Sequence, residues 1–200
     1  MNERGIISFY NFRRKIYNYF FLILEIMTIF RIDNRRYMQD YREKIILGEL
    51  KIINPTPYDK ILFIGCGLIP STPIVIYKKT KNMIETIDKN KLIVKFAKRL
   101  IDKKKLADNI IVRYGDGKTF PVGKYDVIII ATNTFPIEGI LDNIWRNMKP
   151  TAKIICRNIK NDIETLLNHK KFQDKFEIKD VFKHPGVEKY RSLLLLKKSK

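Results

Sequence analysis

The stretch Lys60–Ile76 reads KILFIGCGLIPSTPIVI. Lys60–Ile64 is a short apolar run that ends at a glycine and reads as a buried strand. Gly65 and Gly67 then turn the chain. Glycine at such a turn lets backbone N–H groups approach a ligand with no Cβ in the way. Ser71–Lys79 reads as a helix, with Pro73 acceptable in its first turn, where its missing N–H costs no bond. A strand, a glycine turn and a helix in succession form one unit of an α/β sheet.

Downstream the rhythm repeats. Strands are expected at Ile84–Ile87, Asn109–Tyr114, Tyr125–Ala131 and Lys153–Arg157. Helices are expected at Lys91–Lys104, Ile137–Met148 and around Asp162–His169. The end changes character: Phe176–Phe182 and Tyr190–Lys197 flank a turn at Pro185-Gly186 and read as a hairpin. The fold class is therefore α/β: a Rossmann-like, mostly parallel seven-stranded sheet with a C-terminal antiparallel hairpin strand. An N-terminal helical segment precedes it.

Upstream of the turn, Asn54-Pro55-Thr56-Pro57 breaks the chain. The expected organisation is a helical cap or oligomerisation segment over residues 1–53 and a cofactor-binding domain over 54–200. One predicted helix runs to about Phe30 and a second covers Asn34–Leu50. Ile16–Phe30 (IYNYFFLILEIMTIF) follows Arg13, Arg14 and Lys15 but is not expected to span a membrane. It falls short of the ~20 apolar residues needed, and Glu25 interrupts it. Its apolar surface is expected to pack on its own domain or on a second copy, making a homodimer through this helix. Tyr37 and Tyr41 share one face of the second helix and are candidates for a lid over an acceptor site.

The 200 residues carry 40 Lys and Arg against 21 Asp and Glu, a net charge of +19. Lys dominates Arg throughout, which points to compositional bias rather than a built phosphate-reading surface, since such readers lean on Arg. Nucleic acid is therefore not the favoured partner. Cys66 and Cys156 are the only cysteines, which excludes a disulfide scaffold and suggests a cytoplasmic protein. Neither His169 nor His184 stands at ligand spacing from a cysteine, so no metal site is expected.

In open α/β sheets, ligands bind beyond the carboxyl ends of the strands. Three features fall there. The first is the turn Gly65-Cys66-Gly67 with Pro70 beyond it. The second is Asp88-Lys89, closing the second strand at the distance where an acid accepts from ribose hydroxyls. Its alternative reading is a helix cap. The third is Tyr114-Gly115-Asp116-Gly117 after the third strand, where an acid can accept from an adenine amino group, or simply close a turn. After the fourth strand, Asn133, Thr134 and Phe135 are candidates for contacting an acceptor. An NAD-binding reading is weaker, because Pro70 stands where the third glycine of that pattern would be.

These motifs, in this order, resemble the class I S-adenosylmethionine-dependent methyltransferases over about residues 58–198. The resemblance implies S-adenosylmethionine as cofactor, the methionine part at Gly65 and Gly67, ribose on Asp88 and adenine on Asp116. Many members carry an acid two places before the first glycine, where this chain has Phe63. The nicotianamine synthases form a subgroup with an apolar residue there. Their G-x-G-x-x-P-x-T turn is matched by Gly65, Gly67, Pro70 and Thr72, and FPIEGILDNIWRNMKPTAKIICRN also looks similar to theirs. Those enzymes transfer the aminocarboxypropyl arm. The expected function is methyl transfer to a small-molecule acceptor, with arm transfer as the alternative and RNA or DNA methylation as the second.

Overall fold

The computed structural model describes residues 12, 16, 35–159 and 162–198. Apart from residues 12 and 16, the first predicted helix lies outside the described residues. The second is present as α1, Arg35–Ile53, and ends where Asn54 takes a positive φ of 45°. Then follow β1 (Ile61–Ile64), α2 (Ser71–Thr80), β2 (Ile84–Asp88), α3 (Lys91–Lys103), β3 (Ile110–Tyr114) and β4 (Val127–Ile130). The chain continues with α4 (Ile137–Asn147), β5 (Lys153–Ile159), α5 (Asp162–Leu167), β6 (Phe176–Lys183) and β7 (Tyr190–Lys197).

The seven strands form one sheet in the order β3-β2-β1-β4-β5-β7-β6. β1 to β5 pair in parallel, and β7 enters antiparallel between β5 and β6. The sheet reverses direction of growth at β1, whose neighbours are β2 and β4. That reversal opens a crevice at the strand carboxyl ends beside the glycine turn.

Strand pleating sends alternate side chains to opposite faces. Leu62, Ile64, Ile128, Ile130, Ile154 and Cys156 join α4 and α5 in one core. Ile61, Phe63, Val127, Ile129 and Ile155 join α1 and α2 in another, which includes Ile46, Ile53 and Ile76. α3 seals the β2–β3 end through Val94, Ala97 and Ile101. Each such aliphatic side chain contributes about 1.5–3 kcal/mol when withdrawn from water. β1 and β4 are buried at every residue, as their unbroken apolar runs require.

The helix α1 lies close against the rest of the protein. The Gly48 position allows this, because a Cβ there would stand 2.0 Å from the Phe182 ring of β6. α1 therefore packs directly on the C-terminal hairpin at the β6 edge of the sheet.

Candidate active site

A cleft of about 750 Å³ opens at the carboxyl ends of the central strands. The glycine turn forms its floor. Gly65 and Gly67 have φ of 92° and 65°, in the left-handed region that a side chain disfavours. The Gly65 and Cys66 N–H groups donate to the Ile87 carbonyl at 2.8 and 3.2 Å, which ties the turn to β2. Gly65 is further constrained from above, since an added Cβ would meet the Thr134 methyl at 2.6 Å. Cys66 is buried and lines the floor. Pro70 does not line the cleft. It is the residue before α2, and its carbonyl accepts from Ile74 N–H at 3.2 Å.

Asp88 closes β2 beside this floor. Its Oδ2 lies 3.4 Å from the Gly67 nitrogen and its Oδ1 accepts from Asn90 N–H at 3.0 Å. Burial pushes its carboxyl above the usual range, partly offset by these N–H donors and by Lys89. The cap of α3 is Asn90, whose side chain accepts from Leu92 and Ile93 N–H. The cap reading of Asp88 is thereby corrected, and Oδ2 is left facing the turn. Lys89 turns across the cleft: its ammonium donates to the Phe135 carbonyl at 2.7 Å and sits 3.4 Å from that ring's centroid.

Gly115 and Asp116 line the β3 end. The Gly115 N–H donates to the Asp88 carbonyl at 3.0 Å, and a Cβ there would lie 2.7 Å from Phe120. Asp116 Oδ1 accepts from Lys118 N–H at 3.0 Å. That is turn chemistry, and it leaves Oδ2 only a loose 3.5 Å approach from the Lys118 ammonium.

Asn133, Thr134 and Phe135 all line the opposite wall. Thr134 is satisfied locally, donating to the Ala131 carbonyl at 2.8 Å. Asn133 Oδ1 is buried and accepts no hydrogen bond among the described residues. Buried polar atoms ordinarily find a partner, so an atom of this kind in a cleft wall marks where a ligand donor fits. Of the two lid candidates, Tyr41 is absent from the cleft lining, and the side chain of Tyr37 lies outside the described residues. The neighbouring Arg42 takes that place, donating to Ser71 Oγ at 3.0 Å.

The sequence reading missed Arg157 and Glu49. Arg157 of β5 lines the cleft and lies over the Phe63 ring, with its guanidinium carbon 5.6 Å from the centroid. Its Nε and one terminal nitrogen donate to the two Glu49 oxygens at 2.8 Å each, and its other terminal nitrogen to Thr72 Oγ1 at 3.2 Å. Glu49 also accepts from Ser192 Oγ at 2.5 Å. Since that hydroxyl donates to Glu49, it accepts from His184 Nε2 at 2.8 Å, which places the imidazole proton on Nε2. Burial pushes His184 from 6.5 down to about 4 against the pull of the Glu49 carboxylate and with help from Arg157, so the ring is neutral. A signal existed in the sequence. Arg157 interrupts an apolar strand, and Glu49 falls on the same helical stripe as Ile45, Ile46 and Ile53.

Four cationic side chains, Arg42, Lys89, Lys91 and Arg157, face the cleft against two carboxylates, Asp88 and Asp116. The cleft thus suits a ligand with both hydrogen-bond donors and an anionic end. Two glycines at positive φ and an adjacent half-buried acid fit a nucleoside with a flexible charged arm. Among the described residues, no cluster of three metal-binding side chains occurs, and no helix is long and apolar enough to cross a membrane.

Similar folds are known. A point mutant of MtNAS, solved in complex with S-adenosylmethionine, superposes with a TM-score of 0.74 at 17% identity, covering 96% of this chain and 78% of that one. The mitomycin 7-O-methyltransferase MmcR gives a TM-score of 0.61 at 15% identity, covering 76% of this chain and 53% of that one. The B. subtilis tRNA methyltransferase TrmK gives 0.61 at 20% identity, covering 78% and 66%. No curated protein matches by sequence. The model of the nicotianamine synthase protein family matches residues 36–200, a span that holds the whole cleft. The chain belongs to the nicotianamine synthase family and is an S-adenosylmethionine-dependent transferase.

Proposed function

We propose that this protein transfers the aminocarboxypropyl arm of S-adenosylmethionine to a small-molecule acceptor and releases methylthioadenosine. The family match over residues 36–200 carries this reading, since it includes the turn Gly65, Gly67, Pro70 and Thr72. Phe63 supports it: the acid that many methyltransferases place there is replaced by an aromatic ring beneath the Arg157 guanidinium.

When bound, the cofactor supplies a sulfonium whose carbons need no further activation. The protein's task is alignment and exclusion of water. Asp88 would accept from the ribose hydroxyls and Asp116 from the adenine amine. The turn Gly65, Cys66 and Gly67 would let the backbone approach the methionine part, and Lys89 holds the Phe135 wall in place. Asn133 Oδ1 accepts from a donor on the acceptor and so aims its nucleophile. Residues 54–200 serve as the cofactor domain and residues 1–53 as the helical cap or oligomerisation segment; the cap role rests on α1, which lends Arg42 to the cleft and Glu49 to the wall behind it.

Methyl transfer is the second reading. MmcR and TrmK share the fold, and a shared fold does not choose between two carbons on one sulfur. The test is chromatography of the spent cofactor after incubation with mixed small-molecule amines. Methylthioadenosine above the enzyme-free control is the expected product. Adenosylhomocysteine in its place would establish methyl transfer.

A further inference from the structure

We infer that Arg157 holds the carboxylate of the cofactor's amino-acid arm, and that Glu49, Ser192 and His184 are positioning residues that aim it. The inference rests on S-adenosylmethionine occupying this cleft but not on which of its carbons is transferred.

The sheet order lays out the ligand. Asp116 follows β3, Asp88 ends β2 and the glycine turn follows β1, with β4 and β5 next in line. Adjacent strands lie about 4.8 Å apart. With adenine toward β3 and ribose at β2, the sulfur comes over β1 and the arm continues toward β4. The Arg157 backbone lies one residue beyond the Cys156–Ile130 pairing. Its side chain leaves β5 on the face shared by Phe63 and reaches back until the guanidinium stands over that ring of β1. The charge therefore sits where the arm ends.

The guanidinium is held at its base and open at its tip. Glu49 is engaged on the Nε edge through both oxygens, and Thr72 accepts from the remaining terminal nitrogen. These bonds use three of the five donors that an arginine offers. The two left over sit on the terminal nitrogens, and the side chain is 13% exposed at the cleft wall. A planar fork fixed on one edge offers its other edge to a carboxylate. The fixing is elaborate. Glu49 is 1% exposed and is itself held by Ser192, which is held by the neutral His184. This chain begins in the C-terminal hairpin and ends at the cleft.

The test is a binding comparison among three ligands. S-adenosylmethionine carries the carboxylate, its decarboxylated analogue lacks only that group, and methylthioadenosine lacks the arm. The wild-type protein is expected to prefer S-adenosylmethionine over the decarboxylated analogue by about 10- to 100-fold. Arg157→Gln is expected to bring the two affinities within about threefold while methylthioadenosine binding is unchanged. The unchanged ligand reports that the variant is folded. Should Arg157→Gln fail to bind it, the double variant Glu49→Gln/Arg157→Gln leaves no lone buried carboxylate and replaces it in the comparison. A wild-type protein indifferent to the carboxylate would overturn the inference, and that measurement needs no variant. So would a preference that survives the loss of Arg157. If the spent cofactor proves to be adenosylhomocysteine, the arm-transfer reading falls while this comparison still decides the role of Arg157.

Discussion

Glu49 on α1 holds Arg157 on β5 through two parallel hydrogen bonds of 2.8 Å, joining residues 108 apart in sequence. Breaking one side of a buried pair leaves the other charge without its partner and costs about 3–5 kcal/mol. Glu49→Gln is accordingly expected to lower stability by about 3 kcal/mol. Urea unfolding measures it, with the slope unchanged. A loss below about 0.5 kcal/mol, typical of an exposed pair, would show that the bridge is not structural.

Asp88 has the opposite character, a carboxyl whose ionisation is opposed by burial. Its folded value lies above its unfolded one, so its contribution to stability is greatest at low pH and is lost as pH rises through the folded value. Asp88→Asn is expected to leave the free protein at least as stable at neutral pH. Cofactor affinity should fall about 10- to 100-fold, because the ribose hydroxyls lose a charged acceptor. In the wild type, affinity should also weaken as pH falls through the raised value of Asp88, with proton release on binding. Calorimetry in two buffers reads both effects. A cofactor affinity equal in wild type and Asp88→Asn would remove Asp88 from the ribose site.

The imidazole of His184 gives a second pH signature. Its folded value of about 4 lies below the ordinary 6.5, so the stability it provides is complete above about 6.5 and is lost as pH falls toward 4. Thermal melts of the wild type between those limits should decline more steeply than those of His184→Gln, which keeps a donor for Ser192 without a titrating ring. Parallel declines would mean that other groups dominate acid unfolding.

At the α1–β6 contact, packing opposes propensity. Alanine in a helix is ordinarily better than glycine by about 1 kcal/mol. At Gly48, however, a methyl would lie 2.0 to 2.5 Å from Phe182 ring carbons. Gly48→Ala is expected to destabilise by about 1–3 kcal/mol, the usual cost of overpacking. Phe182→Ala in the same chain should recover much of that loss. An interaction energy near zero in the double-mutant cycle would show that the helix does not rest on this ring.

Several features of this protein were determined by the sequence alone because they depend on neighbours along the chain. The apolar runs at Lys60–Ile64 and Tyr125–Ala131 read as buried strands, and the strands Ile61–Ile64 and Val127–Ile130 within them are buried at every residue. The glycines at 65 and 67 marked the turn, which the structure builds at positive φ, and the ends of the second and third strands put Asp88 and Asp116 on the same rim. Tertiary structure alone decided the rest. Asn90, not Asp88, caps α3, because hydrogen-bond geometry chooses between adjacent polar residues. Arg42 rather than Tyr41 reaches the cleft, because one residue of helix turns a side chain by about 100°. β7 inserts between β5 and β6, which carries Ser192 to Glu49 from 143 residues away. No periodicity encodes a contact of that separation. It exists only once the sheet has closed and two elements, each with one charged residue on an apolar face, have no other way to bury it.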